Sequence, residues 1–177
     1  MRALLGLCLL RQGPQDLPFA PSLTWAWLSA LLALQWLVAR HAGLEAFAIL
    51  ARLGITLALL VGVTRALLQS RGLVNRAEQT IAAFAGTGLV FAGLVLPIAL
   101  ALQGVQPGSE PDAGQFLLAL TGLFLFFWKL RIDAHIWQQA LDLKRGAMWL
   151  AVGLMLLEVI LVTAVTGATT PTEPASP

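Results

Sequence analysis

Between Ser22 and Ala39 the chain runs without one charged side chain. The same apolar texture returns at Leu53–Thr64, from Gln79 to Leu102, at Gln115–Trp128 and from Gly146 to Val165, where Glu158 is the only charge. The hydrocarbon core of a bilayer is about 30 Å thick and takes about 20 apolar residues of helix to cross. Stretches of this length and character read as transmembrane helices. Charged residues make up 11% of the chain against 58% hydrophobic ones, where a soluble domain carries roughly 25% charge, so lipid has to be part of the solvent. The 177 residues leave room for such a bundle and for no sizeable soluble domain beside it.

The expected fold class is all-α, a polytopic transmembrane helix bundle with spans at 22–39, 44–68, 77–102, 115–135 and 146–166. An interfacial, membrane-skimming segment 1–21 precedes it and a disordered tail 168–177 follows. Pro18 and Pro21 stand just before the first span, where proline is tolerated, and Arg40, His41 and Gly43 end it. Pro97 predicts a kink in the third span. The stretch 103–114, with Pro107, Gly108 and Pro111, is the clearest linker. The fourth span meets Lys129, Arg131 and Asp133 soon after Trp128. It either crosses, with its cations snorkelling to the headgroups, or dips in and returns. Ile132, Ile136, Ala140 and Leu143 recur at helical spacing beyond it, so the same helix is expected to continue along or out of the interface.

Threading five crossings puts Arg2, Arg11, Arg65, Arg71, Arg76, Lys129, Arg131, Lys144 and Arg145 on one side and Arg40 on the other. Lysine and arginine concentrate on the cytoplasmic side, so the N-terminus is expected inside and the C-terminus outside. Arg71, Arg76, Lys129, Arg131, Lys144 and Arg145 then form a cytoplasmic basic flank, each attracted to anionic headgroups by roughly 1 kcal/mol. The formal charge of +2 belongs to that flank and argues for no nucleic acid. Trp25, Trp27, Trp137 and Trp149 fall at the proposed inner interface and Trp36 at the outer one, as aromatic belts do.

An ionisable group in mid-membrane costs about 2.5–3.5 kcal/mol on insertion scales and therefore calls for a partner or water. Arg52 in the second span and Glu158 in the fifth lie at the same expected depth, each roughly 12 Å from the outer surface. The expectation is an interhelical ion pair Arg52–Glu158, with Glu45 and Thr56 extending the polar stripe on the face of Arg52. It serves either as structural glue or as a proton or solute path. The small residues of the third span, Gly86, Gly88 and Ala92 among them, predict close helix packing, with Pro97 beyond them.

Several chemistries find no support. Cys8 is the only cysteine, His41 and His135 fall on opposite sides of the membrane, and there is no phosphate loop, paired-histidine zinc motif or nucleophile elbow. Glu110 and Asp112 fall far short of the six or more oxygens that calcium takes. No metal, cofactor or catalytic residue is expected. The three prolines of Pro14–Pro21 predict an extended, stiff lead-in that docks a partner or lies under the cytoplasmic face.

That lead-in, Leu17-Pro18-Phe19-Ala20-Pro21, opening into a small bundle of about five spans, resembles the Yip1-like membrane proteins. The resemblance implies membrane organisation or traffic in eukaryotic members and brings no site residues. Low lysine with abundant Leu, Ala, Gly and Arg points to a bacterial inner membrane. The leading expectation is a non-enzymatic assembly or membrane-organising component, in contact with the bilayer and with a membrane-protein partner or a second copy of itself. The alternatives are a transporter or channel subunit using Arg52 and Glu158, and last a membrane-embedded enzyme. The topology is tested with a cysteine at Ser176 in a Cys8→Ser background: an impermeant maleimide is expected to label it from outside intact cells, and labelling only from the cytoplasmic side would remove the fifth crossing.

Overall fold

The computed structural model describes residues 2–102, 112–143 and 145–167. The expected linker around Pro107, Lys144 of the basic flank and the tail from 168 lie outside the described residues. Among these residues six helices form: α1 (Arg2–Cys8), α2 (Pro21–His41), α3 (Ala46–Ser70), α4 (Ala77–Leu102), α5 (Ala113–Ala140) and α6 (Ala147–Gly167). The described residues contain no strand. Helices α2 to α6 are long and apolar enough to cross a membrane, which fits an integral membrane protein.

Local chemistry sets the ends. Pro21 occupies the first turn of α2, where its missing N–H costs nothing. Gly43 and Gly72 take left-handed backbone after α2 and α3. Each chain end folds back on itself there: Leu44 N–H donates to Ala39 O and Leu73 N–H to Leu68 O, the doubled bond of a Schellman stop. Asp112, one of the two acids weighed above for calcium, caps α5. Its Oδ1 accepts from Gln115 N at 2.7 Å while Gln115 Oε1 accepts from Asp112 N at 3.1 Å. α5 then runs unbroken to Ala140. A dip that returns is ruled out, and the span does not stop at 135. α4 likewise continues through Pro97 to Leu102.

The spans close into a ring. α2 packs on α4, α4 on α5, α5 on α6, α6 on α3, and α3 back on α2. At the end carrying Arg71, Arg76 and Arg145, called here the basic end, Leu68, Ala77, Trp137, Ala140, Leu141 and Ala151 form a dry plug. Trp137 is 4% exposed and lies 5.0 Å from the Phe84 ring, so it belongs to this core and not to an aromatic belt. Trp25 and Trp149 are exposed, at 52% and 81%, on faces suited to lipid. Two ion pairs brace the basic end, Arg65–Glu78 at 2.8 Å and Arg76–Asp142 at 2.9 Å. Arg76 also donates to the carbonyls of Gln139 and Ala140, occupying acceptors that the end of α5 leaves free. Its guanidinium is therefore spent on the protein, while Arg71, Arg131 and Arg145 stay exposed.

The N-terminal segment departs from the expected stiff lead-in beneath the bundle. α1, a turn at Leu10 and a 3-10 turn at Pro14–Asp16 fold back along the groove between α4 and α5. Polar side chains of the spans take up its carbonyls: the Trp128 indole donates to Cys8 O at 3.0 Å, Gln79 donates to Leu17 O at 2.8 Å, and His135 Nε2 meets Gln12 O at 3.1 Å. Leu7 is fully buried. The groove exists because Gly86 has no side chain. A Cβ there would stand 2.8 Å from both Leu4 Cδ1 and Trp27 Cε3, and one at Gly88 would stand 3.2 Å from Leu31 Cδ2. Gly86→Val is therefore expected to overpack the groove and cost about 1–3 kcal/mol. Gly93, with nothing within 4 Å of its missing Cβ, should accept alanine without loss. Thermal midpoints in detergent check both, and equal midpoints for the two variants would contradict the packing.

Candidate functional site

The ring is not filled. On the far side of the dry plug lies a half-open cavity of about 510 Å³ to which all five long helices contribute. Its wall is mostly apolar, from Leu31, Leu59, Phe84, Phe91, Leu125 and Phe126 among others. Six polar side chains interrupt that wall: Gln35 of α2, Thr56 and Thr64 of α3, Lys129 and Asp133 of α5, and Glu158 of α6. α4 adds Gly88 and Ala92 and no polar side chain. Its threonines Thr80 and Thr87 are fully buried and donate back to their own helix, Thr80 to Arg76 O and Thr87 to Ala83 O.

The depths agree. Measured along the helices from the basic end, Lys129 and Glu158 each sit eleven residues in, about 16 Å, and Asp133 about 10 Å. Lys129 therefore does not belong to the basic flank. It looked interfacial because the part of α5 beyond 135 was expected to run along or out of the interface; that part instead packs into the bundle, with Ile136, Trp137 and Ala140 buried, which lifts Lys129 into the middle of the span. There its ammonium is hydrogen-bonded to Asp133, one turn along the same helix, with both side chains 24% exposed.

The expected Arg52–Glu158 ion pair does not form. Arg52 is exposed, and the ion pairs among the described residues are those of Arg65, Arg76 and Lys129. The acid's partner on α3 is Thr56, whose hydroxyl donates to Glu158 Oε1 at 2.6 Å. The reason lies in side-chain direction. Helical side chains lean towards their own N-terminus. On antiparallel helices those directions are opposite, so two residues at one Cα depth carry their heads apart. Glu158 leans towards the basic end and meets Thr56, about 6 Å further along than Arg52. Arg52 leans the other way, within reach of headgroups. Glu45 precedes the first turn of α3 and is exposed, so it joins no stripe with Thr56. Pro97 is exposed as well.

Thr64 is the member that periodicity missed. A π-helical stretch, Ala58–Val63, interrupts α3 just before it. In an unbroken α-helix Thr64 would sit roughly 80° round from Thr56. The wider π turn advances less per residue and swings it back towards the same face. Thr24, Thr80, Thr87, Thr121 and Thr166 each donate to the carbonyl four residues earlier. Thr64, 1% exposed, has no hydrogen-bond partner for its hydroxyl, and Gln35 Oε1 is likewise buried and unpartnered. Orphaned polar atoms on a cavity wall are costly in apolar surroundings and mark where a ligand or water would bond.

No group of three or more histidine, cysteine or acidic side chains suited to a metal occurs among the described residues. The chemistry on offer is one ammonium, two carboxylates and three neutral polar groups in an apolar chamber, suited to holding and exchanging protons or a polar-headed solute. Comparison of the chain with family models, with characterised proteins and with solved structures finds no match.

The two threonines separate bonded from orphaned hydroxyls. Thr56→Val is expected to lower stability by about 0.6–2 kcal/mol, the range for an interhelical hydrogen bond in a membrane protein, and Thr56→Ser to restore most of it. Thr64→Val, which replaces an unbonded buried hydroxyl by a methyl of the same shape, should be neutral or stabilising. Thermal midpoints in one detergent decide, and a larger loss for Thr64→Val than for Thr56→Val would contradict the assignment.

Proposed function

We propose that the chain is a small membrane carrier, or the solute-binding subunit of one, whose central cavity takes a small solute or proton at Lys129, Asp133 and Glu158. The observation that carries this reading is the cavity itself: five spans surround a chamber in the 300–1,000 Å³ range typical of ligand pockets, with both signs of charge on its wall at mid-span depth. An ionisable side chain inside a membrane marks a substrate or proton path more often than packing. Here three face one space.

The reading as a purely organising component rested on a dry, self-satisfied pair at Glu158. That pair is replaced by a carboxylate beside an open chamber, which favours the carrier. The likeness to the Yip1-like membrane proteins stands as a proposal about architecture and lends this reading no residues. A bacterial inner membrane, with the basic end in the cytoplasm, is the setting we propose for it, on composition and on the placing of lysine and arginine. A partner chain or a second copy would pack on the outer faces of the ring, away from the cavity.

Water access is the property that separates a carrier from a dry bundle. In a Cys8→Ser background, Met155→Cys on the cavity wall is expected to react with a water-soluble thiosulfonate in native membranes. Ile160→Cys, 62% exposed on the outer face of α6 and so surrounded by lipid, should not. Protection of both cysteines would sink the carrier reading.

A further inference from the structure

The cavity's hydrogen-bonding groups are unequally committed, and the imbalance specifies what fits. Among the described residues Lys129 is the only cation on the wall, and Asp133 neutralises it by direct contact. The second acid, Glu158, receives one hydrogen bond, from the neutral Thr56. No ion pair among the described residues involves it. The remaining polar atoms, Thr64 Oγ1 and Gln35 Oε1, are buried and have no partner. Summed over the wall, the fixed charges are +1 for Lys129, −1 for Asp133 and −1 for Glu158, a net of −1 facing a chamber otherwise lined by leucine and phenylalanine. A group that brings one positive charge, two or three N–H donors and an apolar body answers each of these features.

Resting on the carrier reading, we propose that the solute is a small organic ammonium with an aliphatic or aromatic body, its nitrogen held by Glu158 and the orphaned Thr64 hydroxyl and its body against Phe84, Phe91 and Leu125. The ammonium pairs with the carboxylate that Thr56 alone contacts, and the wall's net charge falls from −1 to zero on binding. Among the described residues the other ionisable groups on the wall are Lys129 and Asp133 of α5, while α2 and α3 contribute the neutral Gln35, Thr56 and Thr64. The Lys129–Asp133 pair stays internal to α5.

The charge rule is read with three probes of one size: n-hexylammonium, hexanoate and 1-hexanol. Each is tested at equal concentration for slowing the thiosulfonate reaction of Met155→Cys in the full-length Cys8→Ser protein. Hexylammonium is expected to protect at about tenfold lower concentration than hexanol, a difference of about 1.4 kcal/mol, and hexanoate to protect least. Glu158→Gln should bring hexylammonium down to the level of hexanol. Thr64→Val, which keeps or raises stability, should weaken hexylammonium severalfold, an effect that a structural role does not produce. Equal protection by hexanol and hexylammonium, preference for hexanoate, or an unchanged preference in Thr64→Val and Glu158→Gln together would overturn the ammonium assignment while labelling of Met155→Cys still upholds the carrier. A cysteine at 155 that never reacts removes both.

Discussion

Lys129 is held in mid-span by Asp133, and the rest of the architecture follows from the need to keep that pair out of lipid. A charged side chain at the centre of a bilayer is tolerated where it faces the protein interior and finds a counter-charge. Four residues separate the two on α5, so the helix presents both on one face, and the ring of α2, α4, α6 and α3 closes around that face. The outer faces of the same helices carry exposed Leu, Phe, Val and Ile. Charge inside and hydrocarbon outside inverts the arrangement of a soluble bundle, and it is the arrangement a membrane requires.

The basic end supplies the rigidity that such a cavity needs. Burial is concentrated there: the dry plug around Trp137, the Arg65–Glu78 and Arg76–Asp142 pairs, and the N-terminal segment bonded into the groove of α4 and α5. Next to the plug the helices leave the cavity, and Trp137 and Ala151 belong to both. The π turn of α3 lies between two of the cavity's lining residues, Thr56 and Thr64.

Five spans were legible in the sequence because uncharged length is a strong signal and the bilayer sets it. The small residues of α4 were legible for a related reason, since Gly86 and Gly88 admit Leu4, Trp27 and Leu31 where any Cβ would crowd them. The polar site was legible only in half. Glu158 and Thr56 stood out as intramembrane polar residues and do meet, yet Arg52 was matched to Glu158 by Cα depth alone. Depth omits the lean of side chains on antiparallel helices, which separates these two by about a turn. Lys129 was read as a headgroup cation because three charges within one turn look like the end of a span. The apolar residues that follow, at helical spacing, were the signal that α5 continues, and Asp133 one turn from Lys129 was the signal of a pair. Thr64 left no such trace, because a π turn rotates it into place and the residues Ala58–Val63 spell an ordinary apolar run.

What the cavity asks of a ligand follows from which bonds are already made. A pair that is complete, such as Lys129 with Asp133, resists exchange because removing either partner leaves a bare charge in low dielectric. An acid with one neutral donor is different: among the described residues no cation pairs with it, so one that arrives as a ligand meets no competitor there. On the carrier reading proposed above, the requirement in this chain reduces to one carboxylate, a hydroxyl that no backbone carbonyl has claimed, and a chamber large enough for the body of an amine.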